Sequence, residues 1–262
     1  MKFSKTEIWS ILKPFALKQD NLVRLGSEHD GGYLIPKNIF LKTDYLVSLG
    51  IKDDWNFEIE YLDYCKNAKV EAFDLTASSV YFVKRILSSL RRLDFTNLKK
   101  NLSIFFKFWW DLKLNKRVTY NNIGISENRK GYRSLSGVLS KLSDKRVLLK
   151  SDIEGGEYDV IKTICEYSGI IDILAIEFHT VLSDQSLFVS SLKKILVDFK
   201  VIHVHMNNNT RFDESLMLSD VVEVIFISKR FNAEIESQES ICLPLENDSP
   251  CNPILPEYEI FI

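Results

Sequence analysis

The densest group of potentially reactive side chains lies in residues 148–161, where an apolar run gives way to Asp152, Glu154 and Glu157. Asp152 and Glu154 are two residues apart, so an extended backbone would point both carboxylates the same way. Glu157 falls in the first turn of the following helix, where a negative charge suits the helix dipole. Helix capping explains one of these acids but not an acid inside a strand, so the pattern favours a ligand site.

Polar side chains also end the next two apolar runs, namely Glu177 with His179 and then His205 with Asn207. A lone strand histidine is more often structural than catalytic. Acids, imidazoles and amides that end successive strands nevertheless indicate a site at their common edge. Because an imidazole titrates near neutral pH, it suits a general base. Either His179 or His205 is the candidate for that role.

A glycine and an acid end two earlier apolar runs. Gly50 would let the backbone approach a ligand closely. Asp74, 24 residues further on, would accept the hydroxyl hydrogens of an adenosine ribose, with Leu75 as a second cofactor contact. An ordinary turn with a solvated aspartate is the alternative, and NAD-binding folds use the same pair. The Gly-x-Gly-x-x-Gly fingerprint is missing, and Asp53 and Asp54 would repel a pyrophosphate, which argues against a dinucleotide.

The same residues allow a version of the site with a divalent ion. Asp152, Glu177 and Asn207 would supply oxygen ligands of the kind that magnesium prefers. A metal there would lower the pKa of an acceptor hydroxyl, as it does for bound water. His205 is an alternative to Asn207 in this set. We favour the metal-free site over this arrangement.

Seven short apolar runs must position these side chains. They span residues 45–50, 69–74, 118–125, 146–152, 170–178, 200–205 and 221–228. Helical patterns at 55–65, 157–165 and 186–196 lie between runs, which indicates parallel βαβ units with helices on both faces. The loop before the last run is too short for a crossover helix, so we expect that strand to be antiparallel. The prediction is a Rossmann-like, doubly wound α/β fold with a mostly parallel seven-stranded sheet, which binds ligands beyond the carboxyl ends of its strands.

The first 43 residues form an extension to this sheet. Hydrophobic spacing predicts an amphipathic helix over residues 3–19, which Pro14 kinks or ends. Asp30, Gly31 and Gly32 indicate a tight turn before a short strand that Pro36 stops. We interpret residues 1–262 as a single domain that carries this extension.

Residues 80–117 interrupt the alternation of strands and helices with a helical pattern. This segment contains ten Lys or Arg residues against Asp94 and Asp111, a net charge of +8 in a chain whose net charge is -2. Phenylalanine, tyrosine and tryptophan are interleaved with the basic residues. We call it the basic insertion, and three interpretations stand: a cap that packs on the sheet, a lid that binds the acceptor, or an anchor to an anionic membrane surface.

Composition limits the classes of protein to consider. With 262 residues and 45% hydrophobic content the chain can bury a full core. The N-terminal apolar run contains charges, and we find no bilayer-length apolar stretch, so we expect a cytoplasmic protein or one at the inner face of the membrane. The cysteines are Cys65, Cys165, Cys242 and Cys251; they lack the spacing of a zinc site, and we expect reduced, partly buried thiols.

Residues 150–157, Lys-Ser-Asp-Ile-Glu-Gly-Gly-Glu, resemble the Lys-x-Asp-x-Glu-Gly-x-Glu signature of the FkbM-type methyltransferases. Weaker similarities to that family or to a divergent subgroup occur at residues 30–33, 48–58, 134–136, 176–177 and 205–208. The resemblance covers residues 20–79 and 118–230 and leaves out the basic insertion. Gly50 stands outside the family's usual Asp-x-Gly-Ala motif.

The resemblance implies an S-adenosylmethionine-dependent O-methyltransferase that acts on a sugar hydroxyl of a surface polysaccharide or its nucleotide-sugar precursor. Gly50, Asp74, Leu75 and Asp152 would then contact the cofactor. Asp152 and Glu154 would lie next to the transferred methyl group. A histidine would act as the base.

Other functions compete with this one. The basic insertion also suits an RNA methyltransferase, although its charge is confined to one segment and we expect no nucleic acid partner. A non-catalytic carbohydrate- or membrane-binding protein with the same fold is a further alternative. The expected partner is a glycan or other small-molecule acceptor, with peripheral membrane contact through residues 80–117 and homo-oligomerisation as further options.

Overall fold

A computed structural model describes residues 2–18 and 21–262. Seven strands form its main sheet: β1 Tyr45–Leu49, β2 Lys69–Phe73, β3 Val118–Asn121, β4 Val147–Ser151, β5 Ile171–Phe178, β6 Phe199–Met206 and β7 Val222–Ser228. Every predicted strand is present. The third is shorter than predicted, because the chain leaves the sheet after Asn121 instead of continuing to residue 125.

The strands lie side by side in the order β3-β2-β1-β4-β5-β7-β6. β7 is antiparallel to both of its neighbours, as expected from the short loop that precedes it. The other neighbouring strands, β3 with β2, β2 with β1, β1 with β4 and β4 with β5, are parallel. The order is that of a dinucleotide-binding Rossmann sheet with an antiparallel strand inserted before the last one. The prediction of a Rossmann-like, mostly parallel α/β sheet is therefore confirmed. The order reverses between β1 and β4, which is where such sheets bind ligands.

Helices cover both faces of the sheet. They are α1 Lys5–Leu12, α2 Asn56–Tyr64, α3 Ser79–Arg91, α4 Phe95–Phe108, α5 Leu135–Leu139, α6 Glu157–Glu166 and α7 Gln185–Ile195. α1, α5, α6 and α7 pack on one face, together with Val47, Leu149 and Leu174 of the strands. α2, α3 and α4 pack on the other face, against Leu46, Leu148 and Ile173. Both faces of each central strand are therefore buried, as the doubly apolar runs indicate.

Short elements complete the structure. They are the helical turn Lys37–Phe40, the π-helical segment Trp109–Leu114, the 3-10 turns Ser140–Leu142 and Lys229–Glu234, and four small antiparallel pairs: Ala16–Leu17 with Ile235–Glu236, Leu22–Leu25 with Tyr33–Pro36, Phe212–Asp213 with Leu218–Ser219, and Cys242–Leu243 with Ile260–Phe261. We call the second pair the N-terminal hairpin, and residues 237–262 the C-terminal tail. The turn at Asp30 and the strand that stops at Pro36 are confirmed.

The N-terminal helix is shorter than predicted. It begins with a capping box at Ser4 and Glu7 and ends at Leu12. Pro14 cannot continue a helix, and the next residues, Ala16–Leu17, pair with another part of the chain. The predicted helix over 3–19 was therefore wrong beyond residue 12, and residue 19 lies outside the described residues.

Serine and aspartate side chains set where four later helices begin. Ser78, Asp94, Ser134 and Asp184 each accept a hydrogen bond from the backbone N–H three residues on. Such caps satisfy donors that the first helical turn leaves unpaired. Among the described residues, the structure contains no helix that is long and apolar enough to cross a membrane.

Gly50 occupies the point where β1 and β4 separate. Its φ is +80°, and a Cβ atom at this position would lie 1.6 Å from the backbone oxygen of Asp152. The glycine therefore allows the turn after β1 to lie against the end of β4. The close approach of the Asp152 backbone thus already requires a glycine at this position, and the predicted contact of Gly50 with a ligand stays a prediction.

We expect Gly50→Ala to destabilise the protein by more than a left-handed alanine alone would cost. Gly131 provides the matched control, because its φ is +87° and its Cβ position has no atom within 4 Å. Gly131→Ala should cost about 1–2 kcal/mol of unfolding free energy, and Gly50→Ala clearly more, since backbone must move. Urea unfolding measures both values. Equal costs would show that the turn after β1 can move away from β4 freely.

Candidate active site

A cavity of about 200 Å³ lies at the reversal point of the sheet. Gly50, Asp74 and Leu75, at the ends of β1 and β2, form one side of it. Ile153 and Glu154, which follow β4, form another. The cavity thus lies where the sequence placed a ligand site, and it includes three of the four predicted cofactor contacts.

Asp74 holds the walls of this cavity together. Its Oδ2 accepts hydrogen bonds from the backbone N–H groups of Ile51 (3.0 Å) and Lys52 (2.7 Å). Its Oδ1 accepts from the N–H of Ala77 (2.8 Å) and from both the N–H and the hydroxyl of Thr76. These bonds outweigh the effect of burial, which acts in the opposite direction, and lower the pKa of Asp74. The carboxylate therefore fixes the turns after β1 and β2, and its predicted contact with a ribose stays a prediction.

Leu75 lies beside this carboxylate and is 51% exposed, although it borders the cavity. Residues after β3 form the opposite wall with Asp159 of α6. Ser126 donates a hydrogen bond to Asp159 Oδ2 (3.0 Å), and the Arg129 guanidinium lies over the Tyr132 ring. The sequence did not predict Ser126, Arg129 and Tyr132 as wall residues, because the loop from 122 to 134 has no periodic pattern that points to the cavity.

Asp152, Glu157 and His179 meet at the edge of the sheet, next to Ile153 and Glu154 of the cavity wall, although the three do not line the cavity themselves. One ligand-capable atom from each lies within 4.8 Å of the others. Glu157 is fully buried and accepts hydrogen bonds from the N–H groups of Ile153 (2.9 Å) and Gly155, as expected for the first turn of a helix. His179 Nδ1 lies 3.2 Å from Glu157 Oε1. The structure thus brings Asp152 and His179 together, as the sequence predicted.

The two groups that face this edge have strongly shifted pKa values. Burial raises the pKa of Asp152 to about 6, although Lys150 and His179 act in the opposite direction. Burial lowers the pKa of His179, but the hydrogen bond and charge of Glu157, with Glu177 and Asp152, outweigh it and raise the pKa to about 9. At neutral pH Asp152 is therefore mostly ionised and His179 is mostly protonated. Shifted pKa values of this kind are typical of functional sites.

Glu154 lies near the same cluster, but the backbone that places it there differs from the extended one that was predicted. The chain after Ser151 is a turn and not an extended strand, and Glu154 has a φ of +54°. Its carboxylate is 70% exposed and lies 3.6 Å from His179 Nε2. Lys52 and Thr180, in the loops after β1 and β5, also have positive φ values. Left-handed non-glycine residues cost about 1 kcal/mol each, and their concentration at one edge favours a functional role for it.

Glu177 belongs to a buried polar layer under the N-terminal hairpin and not to the cavity wall. The Tyr33 hydroxyl donates to Glu177 Oε2 (3.1 Å), and the Asn207 amide lies 3.5 Å from Oε1. Glu223 of β7 is the direct cross-strand neighbour of Glu177. Burial, Asp152 and Glu223 raise the pKa of Glu177 well above its usual range. Of the predicted magnesium ligands, Asn207 thus contacts Glu177, and Glu177 Oε1 also lies 3.9 Å from Nε2 of His179, which groups with Asp152 and Glu157.

Lys150 supplies the positive charge of this polar layer. Its side chain is 5% exposed, and its ammonium donates a hydrogen bond to the Gly50 carbonyl (3.1 Å) and lies 4.0 Å from Glu58 Oε1. Burial lowers the pKa of Lys150, but Glu58, Asp152 and Glu177 raise it more. Lys150 therefore stays charged while buried. A lysine inside an otherwise apolar strand was the available sequence signal for this role, which sequence reasoning did not use.

His205 lies away from the cavity and is buried. Its Nδ1 is 3.2 Å from Glu223 Oε2, and its Nε2 is 3.2 Å from Glu257 Oε1 in the C-terminal tail. Burial lowers its pKa, but Glu223 and its hydrogen bonds raise it well above the usual value. An imidazole that is buried between two carboxylates, away from the cavity, does not suit the predicted role of a general base. The prediction failed here because residues of the tail, remote in sequence, enclose β6.

The basic insertion packs on the turn that follows β1. Phe82 and Phe108 are buried against the Trp55 ring, at 6.1 and 5.9 Å between ring centroids. The Trp55 indole N–H donates to Asp111 (2.9 Å), and Arg85 forms an ion pair with Asp53. The interpretation as a packed cap therefore holds for the aromatics that contact Trp55. Phe95, Phe106, Trp109 and Trp110 of the insertion are exposed, whereas Tyr81 and Phe105 are partly buried against the same core.

The fold and this edge define a Rossmann-like α/β protein with a ligand cavity at the reversal point of its sheet. No protein-family profile matches the chain. No curated protein matches it either. The chain is similar to the solved structure of the fibrillarin pre-rRNA processing protein of Methanococcus jannaschii, with 9% identity, coverage of 73% of this chain and 69% of that chain, and a TM-score of 0.38.

Two solved O-methyltransferases show a similar degree of likeness. The enzyme of Bacillus cereus, in complex with SAH, is 9% identical over 73% of this chain and 79% of that chain, with a TM-score of 0.34. TomG of Streptomyces achromogenes, which is involved in tomaymycin synthesis and was solved with SAM, is 7% identical over 73% of this chain and 78% of that chain, with a TM-score of 0.36.

Proposed function

We propose that the protein is an S-adenosylmethionine-dependent O-methyltransferase that acts on a sugar hydroxyl of a surface polysaccharide or its nucleotide-sugar precursor. The observation that carries this proposal is the cavity at the reversal point, whose wall residue Glu154 lies 3.6 Å from His179 of the cluster that includes Asp152. The sugar acceptor rests on the resemblance of residues 150–157 to the FkbM signature.

The walls of the cavity fit S-adenosylmethionine better than a dinucleotide. Leu75, Ile125 and Ile153 offer an apolar surface for the adenine ring. Glu154 and Asp152 place negative charge where the cofactor's sulfonium and ammonium groups would be attracted. The same carboxylates would repel a pyrophosphate. When bound, the cofactor supplies an electrophilic methyl group.

Asp152 is the better candidate for the base than either histidine. Its pKa of about 6 leaves it ionised at neutral pH, so it can accept the proton of an acceptor hydroxyl. His179 already carries a proton at that pH, and its charge lowers the pKa of Asp152. Rigid placement of the two substrates supplies the rest of the rate increase, on the order of 7–11 kcal/mol in favourable cases.

Binding of the cofactor tests the cavity assignment. We expect calorimetric titration to give one site for S-adenosylmethionine and one for S-adenosylhomocysteine. Leu75→Glu should weaken both at least about tenfold, or 1.4 kcal/mol, because it places a charge on the apolar wall. Leu41→Glu is the matched control, since Leu41 is 45% exposed and lies outside the cavity. If the folded protein binds neither compound, the non-catalytic alternative gains support.

The pH dependence of methyl transfer tests the identity of the base. With Asp152 as the base, kcat/KM should rise with pH through about 6, where its carboxyl group loses a proton. His179→Gln should move this rise to higher pH, because the positive charge that lowers the pKa of Asp152 is lost. His29→Gln serves as the control. A rise through about 9 instead would assign the base to His179.

The same assay distinguishes the acceptor classes. Transfer of labelled methyl to nucleotide sugars or oligosaccharides, but not to RNA oligonucleotides, is the expected result. Asp152→Asn should reduce turnover by about 10²–10⁴-fold, in the range of general base catalysis. Cofactor binding should weaken as well, because Asp152 also attracts the cofactor's positive groups, but by less than turnover falls. Transfer to RNA alone would support the RNA methyltransferase alternative.

The basic insertion favours a second proposal, peripheral contact with an anionic membrane. Val80, Val83, Leu87 and Leu90 are exposed at helical spacing on α3. A second exposed stripe follows on α4 and the π-helical segment, formed by Leu102, Phe106, Trp109, Trp110 and Leu114. Exposed basic side chains border both stripes: Lys84, Arg91, Arg92, Lys99, Lys100, Lys107, Lys113 and Lys116.

This combination fits a lipid surface better than RNA. Base stacking requires aromatic rings, whereas exposed leucines and valines gain from contact with acyl chains. Each lysine or arginine near an anionic leaflet contributes about 1 kcal/mol. An acceptor that is held at the inner face of a membrane would then reach the cavity without diffusing from solution.

Sedimentation with vesicles tests this contact. We expect binding to vesicles of phosphatidylglycerol and phosphatidylcholine but not of phosphatidylcholine alone, and a loss of binding at high salt. Replacing Phe106 and Trp110 by serine should weaken binding at least about tenfold. Replacing Val197 and Ile254, which are equally exposed elsewhere, by serine should change it little. Equal behaviour of the two double variants would contradict membrane contact through the insertion.

A further inference from the structure

A second cluster of potential ligands lies on the outer strands, apart from the cavity. His205 belongs to β6, Glu223 is its direct cross-strand neighbour on β7, and Cys251 comes from the C-terminal tail. All three side chains are buried, and none of them lines the cavity at the reversal point. The cluster takes no part in the methyl transfer proposed above.

The ligand atoms lie close enough together to share one ion. His205 Nδ1 is 3.2 Å from Glu223 Oε2, Cys251 Sγ is 3.5 Å from the other carboxylate oxygen, Oε1, and Cys251 Sγ is 4.0 Å from His205 Nδ1. One ligand atom from each residue lies within 4.8 Å of the others. Zinc bonds of about 2.0–2.1 Å to nitrogen and oxygen and about 2.3 Å to sulfur place such ligands roughly 3.3–3.6 Å apart, so side-chain movements of up to about 1 Å would bring the three atoms to that spacing.

The second nitrogen of His205 is also arranged as in a metal site. His205 Nε2 lies 3.2 Å from Glu257 Oε1. Histidines that bind metals through one nitrogen almost always donate the other N–H to a carboxylate or a carbonyl, which fixes the tautomer. Glu257 would fill that role, leaving Nδ1 free to face Glu223 and Cys251.

The donor atoms select among metals. A thiolate and an imidazole are poor ligands for magnesium and calcium, which prefer oxygen. One sulfur, one nitrogen and one carboxylate oxygen suit zinc, with a fourth position for water. The spacing of the cysteines in sequence gave no sign of this site, because its ligands come from three separate segments.

We propose that His205, Glu223 and Cys251 bind one zinc ion, oriented by Glu257, that fastens the C-terminal tail to β6 and β7. The ion links Cys251 of the tail to His205 of β6 and Glu223 of β7. Without the ion, hydrogen bonds hold the tail against these strands. His203, which lies 3.0 Å from Asp248 of the tail, makes a second connection of the same kind without a metal. The proposal is independent of the methyltransferase activity.

Metal analysis of the full chain tests the stoichiometry. The protein should retain one equivalent of zinc after gel filtration. After removal by a chelator, added zinc should bind tightly and raise the melting temperature. Cobalt in place of zinc should give the visible bands of tetrahedral coordination and a thiolate-to-cobalt charge-transfer band. Substoichiometric zinc, with no thiolate band on adding cobalt, would overturn the proposal.

Variants identify the ligands. Cys251→Ser should abolish the thiolate band and lower zinc affinity at least about 100-fold, whereas Cys242→Ser, at an exposed cysteine, should change neither. Glu257→Gln should lower the affinity by about 10–100-fold, as for other partners of metal-binding histidines. Should Cys251→Ser fail to fold, the cobalt spectrum of the unaltered chain and of Glu257→Gln still decides the matter. A thiolate band that persists in Cys251→Ser would overturn the assignment.

Discussion

The buried ammonium of Lys150 is the constraint on which the architecture of the site depends. An isolated buried charge costs several kcal/mol, so the surrounding residues must compensate it. The Gly50 carbonyl and Glu58 do so directly, and the rings of Tyr33 and Phe57 lie 5.5 and 5.9 Å from the ammonium. The N-terminal hairpin, α2 and the turn after β1 therefore all converge on one strand residue. The same charge keeps Asp152 partly ionised.

Two polar systems share the carboxyl-terminal half of the sheet. One lies beside the Ile153–Glu154 wall of the cavity and consists of Asp152, Glu157 and His179, of which Asp152 and His179 are only partly buried. The other lies on one face of the sheet, from Glu177 across Glu223 to the histidines of β6, and is closed off by the hairpin and the tail. The first system is partly accessible and can act on a ligand. The second is closed off from solvent and holds the structure together.

The sequence predicted the parts that depend on local pattern. The seven apolar runs, the antiparallel last strand and the meeting of Asp152 with His179 follow from periodicity, loop length and the geometry of parallel sheets. The environment of His205 could not be predicted in this way, because its partner Glu257 is 52 residues away in an irregular segment. Nor could the bonds of Asp74, whose donors are mostly backbone groups that any sequence possesses. Side-chain roles that depend on distant irregular chain could not be predicted.

The position of the tail has a consequence for biosynthesis. Asp248 and Glu257 follow every strand of the sheet in the chain, so the ribosome makes them after the histidines that they pair with. Until they emerge, His203 lacks Asp248 and His205 has Glu223 of β7 but not Glu257, so the face of β6 must remain hydrated. Synthesis proceeds at about 5–20 residues per second, so this open intermediate persists for seconds. The tail therefore covers the outer strands late in synthesis. A stop codon before residue 248 would leave a chain in which His203 and His205 lack their partners from the tail.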